Sequence, residues 1–281
     1  MAEEFQIDAE ALKAEVRAFR EARLARLTGP AGWLALVNKT WIGEGRTTIG
    51  ADESCDIVLP AGRGPERVGT FTRAGFEVRF EAAPGVDVTN GGEAVTSIVM
   101  RSDADPVPHR LQVGSLVVEL IRRADDFAIR VRDPDSDARR DFAGVPSYDV
   151  NPAFWIPARF EADTDSISID LIDSDGRPQK ARSVGLAVFD VAGTTCRLRL
   201  FDEDHGRRLF VLFADATNRD QTYGAGRFLY APLPASNRVI LDFNKSFNPP
   251  CAFTAFASCP LPPPENRLPV RIEAGEKRPH P

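Results

Sequence analysis

The sequence predicts an all-β protein of two domains behind one N-terminal helix. Three observations carry this. From Trp33 onward most apolar segments are short, alternate with polar residues, and are bounded by Gly, Pro, Asp or Asn, which is the pattern of strands and turns. One segment ahead of them has helical spacing instead. A connector rich in Pro, Asp, Arg and aromatics then divides the strands into two sets, and 281 residues suffice for two ordinary domains.

Residues 1–32 hold the helix. Asp8 is a capping residue for a helix over residues 9–27, in which Leu12, Val16, Phe19 and Leu27 approximate one apolar stripe. A helix so charged on its other face either lies across a domain surface or binds a partner. Residues 33–132 contain GWLALV, RTTIG, DIVLP, GTFTR, FEVRFEA, VDVTN, EAVTSIVM, HRLQVGSLVVELIRR and FAIRVRD. Many short strands with turn signals make a β-sandwich.

Residues 133–157, DPDSDARRDFAGVPSYDVNPAFWIP, are too aromatic for a free linker. They read as an ordered connector, with Phe142, Tyr148, Phe154 and Trp155 packed at the domain junction. Arg139 and Arg140 beside Asp133, Asp135 and Asp137 form a mixed charge cluster, which suits a solvated loop, a salt network or a ligand contact. Residues 158–281 return to strands: ARFEA, SISIDLI, KARSVGLAVFDV, TCRLRLF, RLFVLFA, GRFLYA, RVILDF and PVRIEAG. Their antiparallel order suggests a closed or nearly closed barrel, whose mouth is a common small-molecule site.

Two resemblances sharpen this. Thr48-Ile49-Gly50 followed by Cys55-Asp56-Ile57-Val58-Leu59 resembles the early strand pair of a forkhead-associated (FHA) sandwich. Val88-Thr89-Asn90-Gly91 and Leu111-Gln112-Val113-Gly114-Ser115 echo later elements of that fold. Its phosphothreonine-reading residues are missing: Ala51 stands where the family has Arg, and GRGPERVGTF has no Ser-x-x-His. The resemblance therefore implies the scaffold and argues against phosphopeptide binding. The blocks YGAGRFLY, DFNKSFNPPCAF and CPLPPPENRLPVRIEAGEK, with GWLALVNKTWIGEGRTTIG and RVRDPDSDARRDFAG upstream, resemble a prokaryotic family known only as a domain of unknown function, DUF1684. That resemblance implies no activity.

Composition excludes some functions. The net charge of −6 and pI near 5.3 give no basic face for nucleic acid. The N-terminus is charged throughout and lacks the apolar core of a secretory signal, and no apolar run reaches the length of a membrane span. The expectation is a soluble cytoplasmic protein. Cys55, Cys196, Cys251 and Cys259 are too scattered for a disulfide framework and in a cytoplasm would be thiols. There is no Cys-x-x-Cys pair or Cys/His cluster, so no metal is expected. Of the histidines, His109 and His205 are far apart and His280 falls in the C-terminal tail.

The candidate chemistry lies in the last fifth of the chain, where prolines and aromatics immobilise polar groups. Asp242 and Asn244 share a face at a strand end. They suit ligand binding, or an Asx turn that shapes the next loop. Asn248 and Cys251 flank Pro249-Pro250. Cys251 and Cys259 are either small buried thiols or a reactive pair, and a thiolate nucleophile would need a base or a positive field, for which Arg227 and Arg267 are candidates. Glu265 and Asn266 follow three prolines. Glu265 suits a general acid or base, a pair with Arg227, or a plain structural contact. Tyr223 and Arg227 bracket a glycine loop that allows a bend or bulge and can line an anion pocket.

The function this favours is a small-molecule binding or catalytic pocket in the barrel, lined by Tyr223, Arg227, Asp242, Asn244, Asn248, Cys251, Glu265 and Asn266. The competing reading is a non-enzymatic interaction module that uses the sandwich or the helix. No cofactor, nucleic acid or membrane partner is called for, and no reaction can be named.

Overall fold

The computed structural model describes residues 7–203 and 205–279. His280 lies outside them. The chain divides into two units, Met1–Ala25 with Ala143–Pro281, and Arg26–Phe142.

The first helix begins where the sequence places its cap. α1 spans Ala9–Thr28, and the Asp8 carboxylate accepts the Ala11 N–H at 2.7 Å. Leu12 and Val16 are fully buried. One member of the buried stripe is unexpected: Arg23 falls at helical spacing between the half-buried Phe19 and the buried Leu27 and is itself buried. Its guanidinium donates to Glu276 Oε1 at 3.0 Å and to the Asn248 carbonyl at 2.8 Å. It also lies 4.6 Å from the Phe247 ring centre. A charge buried on an apolar stripe needs partners of this kind.

The Arg26–Phe142 unit is a β-sandwich. Its strands are β1 (Leu36–Ile42), β2 (Gly45–Gly50), β3 (Ile57–Val58), β4 (Gly69–Ala74), β5 (Glu77–Ala82), β6 (Thr89–Asn90), β7 (Glu93–Ala94), β8 (Ser97–Val99), β9 (Arg110–Val113), β10 (Leu116–Arg123) and β11 (Asp126–Arg132). One sheet runs β1-β11-β10-β9-β6-β7 and the other β3-β2-β4-β5-β8. Alternation sends Phe127, Ile129 and Val131 of β11, Val118 and Leu120 of β10, Phe71 of β4 and Phe80 of β5 into one core. The early strand pair of the FHA resemblance is present and parallel, with Ile49 opposite Ile57 and Gly50 opposite Val58. Asp56 fixes it by accepting from the Thr48 N–H and hydroxyl, each at 2.7 Å.

The mixed charge cluster is a salt network inside this unit. Asp133 accepts from Arg63 at 2.8 and 2.5 Å, and Arg63 also reaches Asp135. Arg139 follows in α2 (Asp137–Arg140) and donates to the carbonyls of Thr28 and Pro134.

The other unit is a curled antiparallel sheet. Its strands are β12 (Trp155–Ile172), β13 (Pro178–Val191), β14 (Thr194–Glu203), β15 (Arg208–Phe213), β16 (Arg227–Ala231) and β17 (Arg238–Asp242), in the order β16-β15-β14-β13-β12-β17. The long β12 and β13 bend at register shifts between Ala162 and Ile167 and between Ser183 and Gly185. Gly185 is required there: its φ is +149°, and a Cβ would lie 2.3 Å from the Glu161 carbonyl oxygen. Such irregularities increase local twist, which curls a sheet toward a barrel. Phe213, Phe243, Phe189, Leu200 and Leu229 fill the inside.

The barrel closes without a ladder between its edge strands. Past β17 the chain makes one helical turn, Phe243–Lys245, and returns along the opposite edge. There Phe247 and Phe228 of β16 exchange N–H···O bonds, both 2.8 Å. The connector is ordered against the same closure: Tyr148 N–H donates to Gly275 O at 2.9 Å and Lys277 N–H to Pro146 O at 2.8 Å. The stretch PVRIEAG, expected as a strand, belongs to no ladder. Part of its backbone is taken by side chains, as described below, and part by single backbone bonds from Ala216 and Tyr148. Among the described residues no helix is long and apolar enough to cross a membrane.

Candidate functional site

Arg227 opens β16 and its side chain is fully buried. Its Nη2 donates to Asp215 Oδ2 at 2.7 Å and to the Ile272 carbonyl at 2.8 Å. Its Nη1 donates to the carbonyls of Ala274 and Glu276. Asp215 in turn accepts the N–H groups of Thr217 at 2.8 Å and Ile272 at 3.2 Å. A guanidinium and a carboxylate therefore satisfy backbone groups of Ile272, Ala274 and Glu276 where a strand would have used a neighbour. That is why PVRIEAG forms no ladder. The preceding Gly226 has φ +95°, and a Cβ there would lie 2.6 Å from the Phe213 carbonyl oxygen, so the glycine serves the bend.

Asp242 and Asn244 form the turn that carries the chain from β17 to β16. The Asp242 Oδ1 accepts from the Asn244 N–H at 3.2 Å and from its Nδ2 at 3.0 Å, and Lys245 pairs with the other oxygen at 3.2 Å. Asn244 also exchanges bonds with the Asn151 backbone, accepting from its N–H at 2.8 Å and donating to its carbonyl at 3.0 Å. Of the two readings of this pair, the geometry is that of the Asx turn. Asn248 is fully buried. Its N–H donates to Glu276 Oε2 at 2.7 Å, and its Nδ2 to the Lys277 carbonyl at 2.8 Å.

Asn266 ties the proline turn to the sheet. Its Oδ1 accepts the Arg199 N–H at 2.7 Å, and its Nδ2 donates to the carbonyls of Arg199 and Leu212 at 3.0 and 2.8 Å. Glu265 is exposed and pairs with Arg199 at 2.7 Å. The expected alternative of a Glu265–Arg227 pair is thus replaced on both sides: Arg227 is held by Asp215 and Glu265 by Arg199. Arg227, Asp242 and Asn244 do not converge on an open cavity. Each is buried and hydrogen-bonded to the chain around it.

The remaining candidates do come together. Cys251 is half-buried, and its N–H donates to the Cys259 Sγ at 3.2 Å. The Tyr223 hydroxyl donates to the Cys251 carbonyl at 3.0 Å. Ser174 braces the second cysteine from the β12–β13 turn, its Oγ accepting the Cys259 N–H at 3.1 Å. Neither cysteine is in a disulfide. Hydrogen bonding from Cys259, helped by Tyr223, the backbone and Ser174, holds the Cys251 thiol down to about 7 against the opposing effect of burial. Burial, then the Cys251 charge, pushes the Tyr223 hydroxyl up. The local field on the thiol comes from hydrogen-bond donors, so neither a histidine nor Arg227 is needed to explain it. Among the described residues no group of three or more His, Cys, Asp or Glu is placed to hold a metal.

A shallow cleft of about 180 Å³ lies beside α1, lined by Arg20, Arg23, Leu24, Val145, Ser147 and Glu276 among others. It reaches none of the eight candidates. The residues that sequence reasoning missed are Asp215, Arg23, Glu276 and Ser174. Asp215 had a local signal, since Asp215-x-x-Asn218 is a capping box that opens a helical turn.

Residues 140–277 match the model of a protein family of unknown function, DUF1684. The chain belongs to this family. The matched DUF1684 region contains every candidate residue, Asp215 and both cysteines. The chain is also similar to an uncharacterised protein from gene locus rrnAC0354 of Haloarcula marismortui, known from a solution NMR structure. The two are 34% identical over 50% of this chain and 78% of that one, with a TM-score of 0.42. A second similar structure is the FhaA FHA domain complexed with the intracellular domain of Rv3910. It is 13% identical over 32% of this chain and 82% of that one, with a TM-score of 0.24. No curated protein matches the chain.

Proposed function

We propose that the DUF1684 unit is a dithiol module that exchanges electrons with small-molecule disulfides. The observation that carries this reading is the contact between the Cys251 N–H and the Cys259 Sγ at 3.2 Å, on a proline-stiffened loop, with Cys251 half-buried. Arg227, Asp242, Asn244, Asn248 and Asn266 are buried in hydrogen bonds to the chain around them and Glu265 pairs with Arg199, which leaves this pair as the reactive groups.

Cys251 is the attacking thiolate, since hydrogen bonding favours its ionised form near neutral pH. It attacks one sulfur of a disulfide RSSR, forms a mixed disulfide and expels RS⁻, which takes up a proton. Cys259 then loses its proton and attacks the Cys251 sulfur, forming the Cys251–Cys259 bond and expelling the second RS⁻. Two electrons pass from the dithiol to the disulfide, and two RSH leave. In a reducing compartment the dithiol is the resting form.

The test is reaction of the full chain with glutathione disulfide, followed by mass spectrometry. The wild type should yield a Cys251–Cys259 bridge. Cys259→Ser should stop at a glutathione adduct on Cys251, and Cys251→Ser should give neither product. Absence of the bridge in the wild type, or an adduct confined to Cys55 or Cys196, overturns the reading.

A further inference from the structure

The sandwich unit contains a buried arginine that the fold leaves without an acceptor. Along β11, Phe127, Ile129 and Val131 point into the core, so Ala128, Arg130 and Arg132 stand on the other face of the sheet. Arg132 is fully engaged there. It donates to Glu119 Oε2 at 2.9 Å and to the carbonyls of Ala31 and Gly32 at 2.8 and 2.9 Å.

Arg130 is different. It is only 7% exposed, and its Nε is buried without a hydrogen-bond partner. Among the described residues its guanidinium has no acceptor and no ion pair, and its one specific contact is the Trp33 ring, 5.3 Å from centroid to guanidinium carbon. The carboxylate directly across the sheet, Glu119, is already divided between Arg132 and Arg110, at 2.9 and 3.0 Å. On the other flank the residue opposite Arg130 is Lys39 of β1.

A guanidinium has five donors and no means of discharging them except acceptors. Burying its Nε without an acceptor is costly, so a built position of this kind calls for an explanation, and an ion from solvent is one. Burial first, then the charges of Arg132 and Arg123, pushes the Arg130 guanidinium down to about 10, outweighing the opposing charges of Glu119 and Asp103. Trp33, Lys39 and Trp41 are each only half-buried, so the rim of this face reaches water.

We propose that this sheet face is an oxyanion site in which Arg130, stacked on Trp33 and flanked by Lys39, binds a phosphate group. Arg matches the planar spacing of two phosphate oxygens. The site lies on β1, β10 and β11, apart from Ala51 and the loop after β3.

The experiment uses the full chain and inorganic phosphate. Melting temperature is measured against phosphate and against acetate at matched ionic strength, for the wild type, Arg130→Met and Arg130→Lys. Phosphate should raise the wild-type melting temperature saturably, because a ligand of the native state must do so. Arg130→Met should fold, since replacing an unpaired buried charge by an apolar side chain is neutral or stabilising, and should lose the phosphate shift. Arg130→Lys should retain a weaker shift. Should Arg130→Met fail to fold, phosphorus NMR decides: the wild type should broaden the phosphate line, and Trp33→Leu should reduce that broadening. No saturable phosphate effect in the wild type, an equal shift in Arg130→Met, or an equal shift with acetate overturns the proposal.

Discussion

Arg227 and Asp215 are bonded at 2.7 Å with neither side chain exposed to solvent. Between them they satisfy four backbone groups of the segment that closes the barrel, at Ile272, Ala274 and Glu276. The pair therefore replaces a strand. Removing one partner leaves an uncompensated buried charge, which costs about 3–5 kcal/mol. Arg227→Met and Asp215→Leu are each expected to lose that much in denaturant melts. The double variant should lose more backbone bonding but strand no charge, so its loss should fall well short of the sum. A single variant within about 1 kcal/mol of the parent would remove the pair from the scaffold.

Asn266 makes three hydrogen bonds to the backbone of β14 and β15. Each buried backbone group left without a partner costs about 1–3 kcal/mol. Asn266→Ala should therefore lose at least about 2 kcal/mol, with Glu265→Ala, which removes one exposed carboxylate from Arg199, losing less. Equal losses from the two variants would show that the amide is not the lock.

The C-terminal block is predicted to be indispensable. Deleting residues 245–281 removes Phe247 from the β16 edge, Ile272 and Ala274 from the core, and Glu276 from Arg23. The product then has an open edge strand, an Arg23 stripped of Glu276 and the Asn248 carbonyl, and an Arg227 left with Asp215 alone. It should aggregate or unfold. A soluble monomer with the parental melting temperature would show the closure to be unnecessary.

The sandwich should not read phosphothreonine. The parallel β2–β3 pair that carries the FHA resemblance is in place, but Ala51 follows Gly50, and the segment from Arg63 to Phe71 has no histidine. Titration with phosphothreonine peptides should give the same weak response as with their unphosphorylated forms. Micromolar binding that requires the phosphate at Ala51 and its neighbouring loop would refute this, and repeating the titration with Arg130→Met separates that loop from the Arg130 face.

The strands were legible because alternation and turn residues are local signals: GRFLYA and RVILDF, read from residue pattern, are β16 and β17. What the sequence hid is non-local. Alternation in Val270 and Ile272 suggested a strand, yet the hydrogen-bond partners there are side chains of Arg227 and Asp215, which no periodicity encodes. Arg23 could have been found, because it sits at the spacing of Leu12, Val16 and Leu27. It was masked by its charge, and Glu276, the Asn248 carbonyl and the Phe247 ring, all brought over by the C-terminal block, make its burial tolerable. Asn266 is opaque for the same reason, since its partners lie across the sheet.

The Cys251 thiol gives the last prediction. Its folded value is about 7, below the ordinary thiol value near 8.5. A group whose folded value is depressed favours the native state above its unfolded value, and that contribution fades as pH falls through the folded value. Native stability should therefore rise with pH between about 7 and 8.5 by an amount that depends on Cys251. Cys251→Ser should flatten that rise, while Cys196→Ser, whose thiol is pushed up by burial, should leave it in place. The same ionisation should set reactivity. Alkylation of Cys251 by iodoacetamide should accelerate with a midpoint near pH 7, and Cys259→Ala, which removes the principal hydrogen-bond donor, should move that midpoint upward. A wild-type midpoint at the ordinary thiol value, unchanged by Cys259→Ala, would mean that the two sulfurs do not act on each other and would take the proposed dithiol with it.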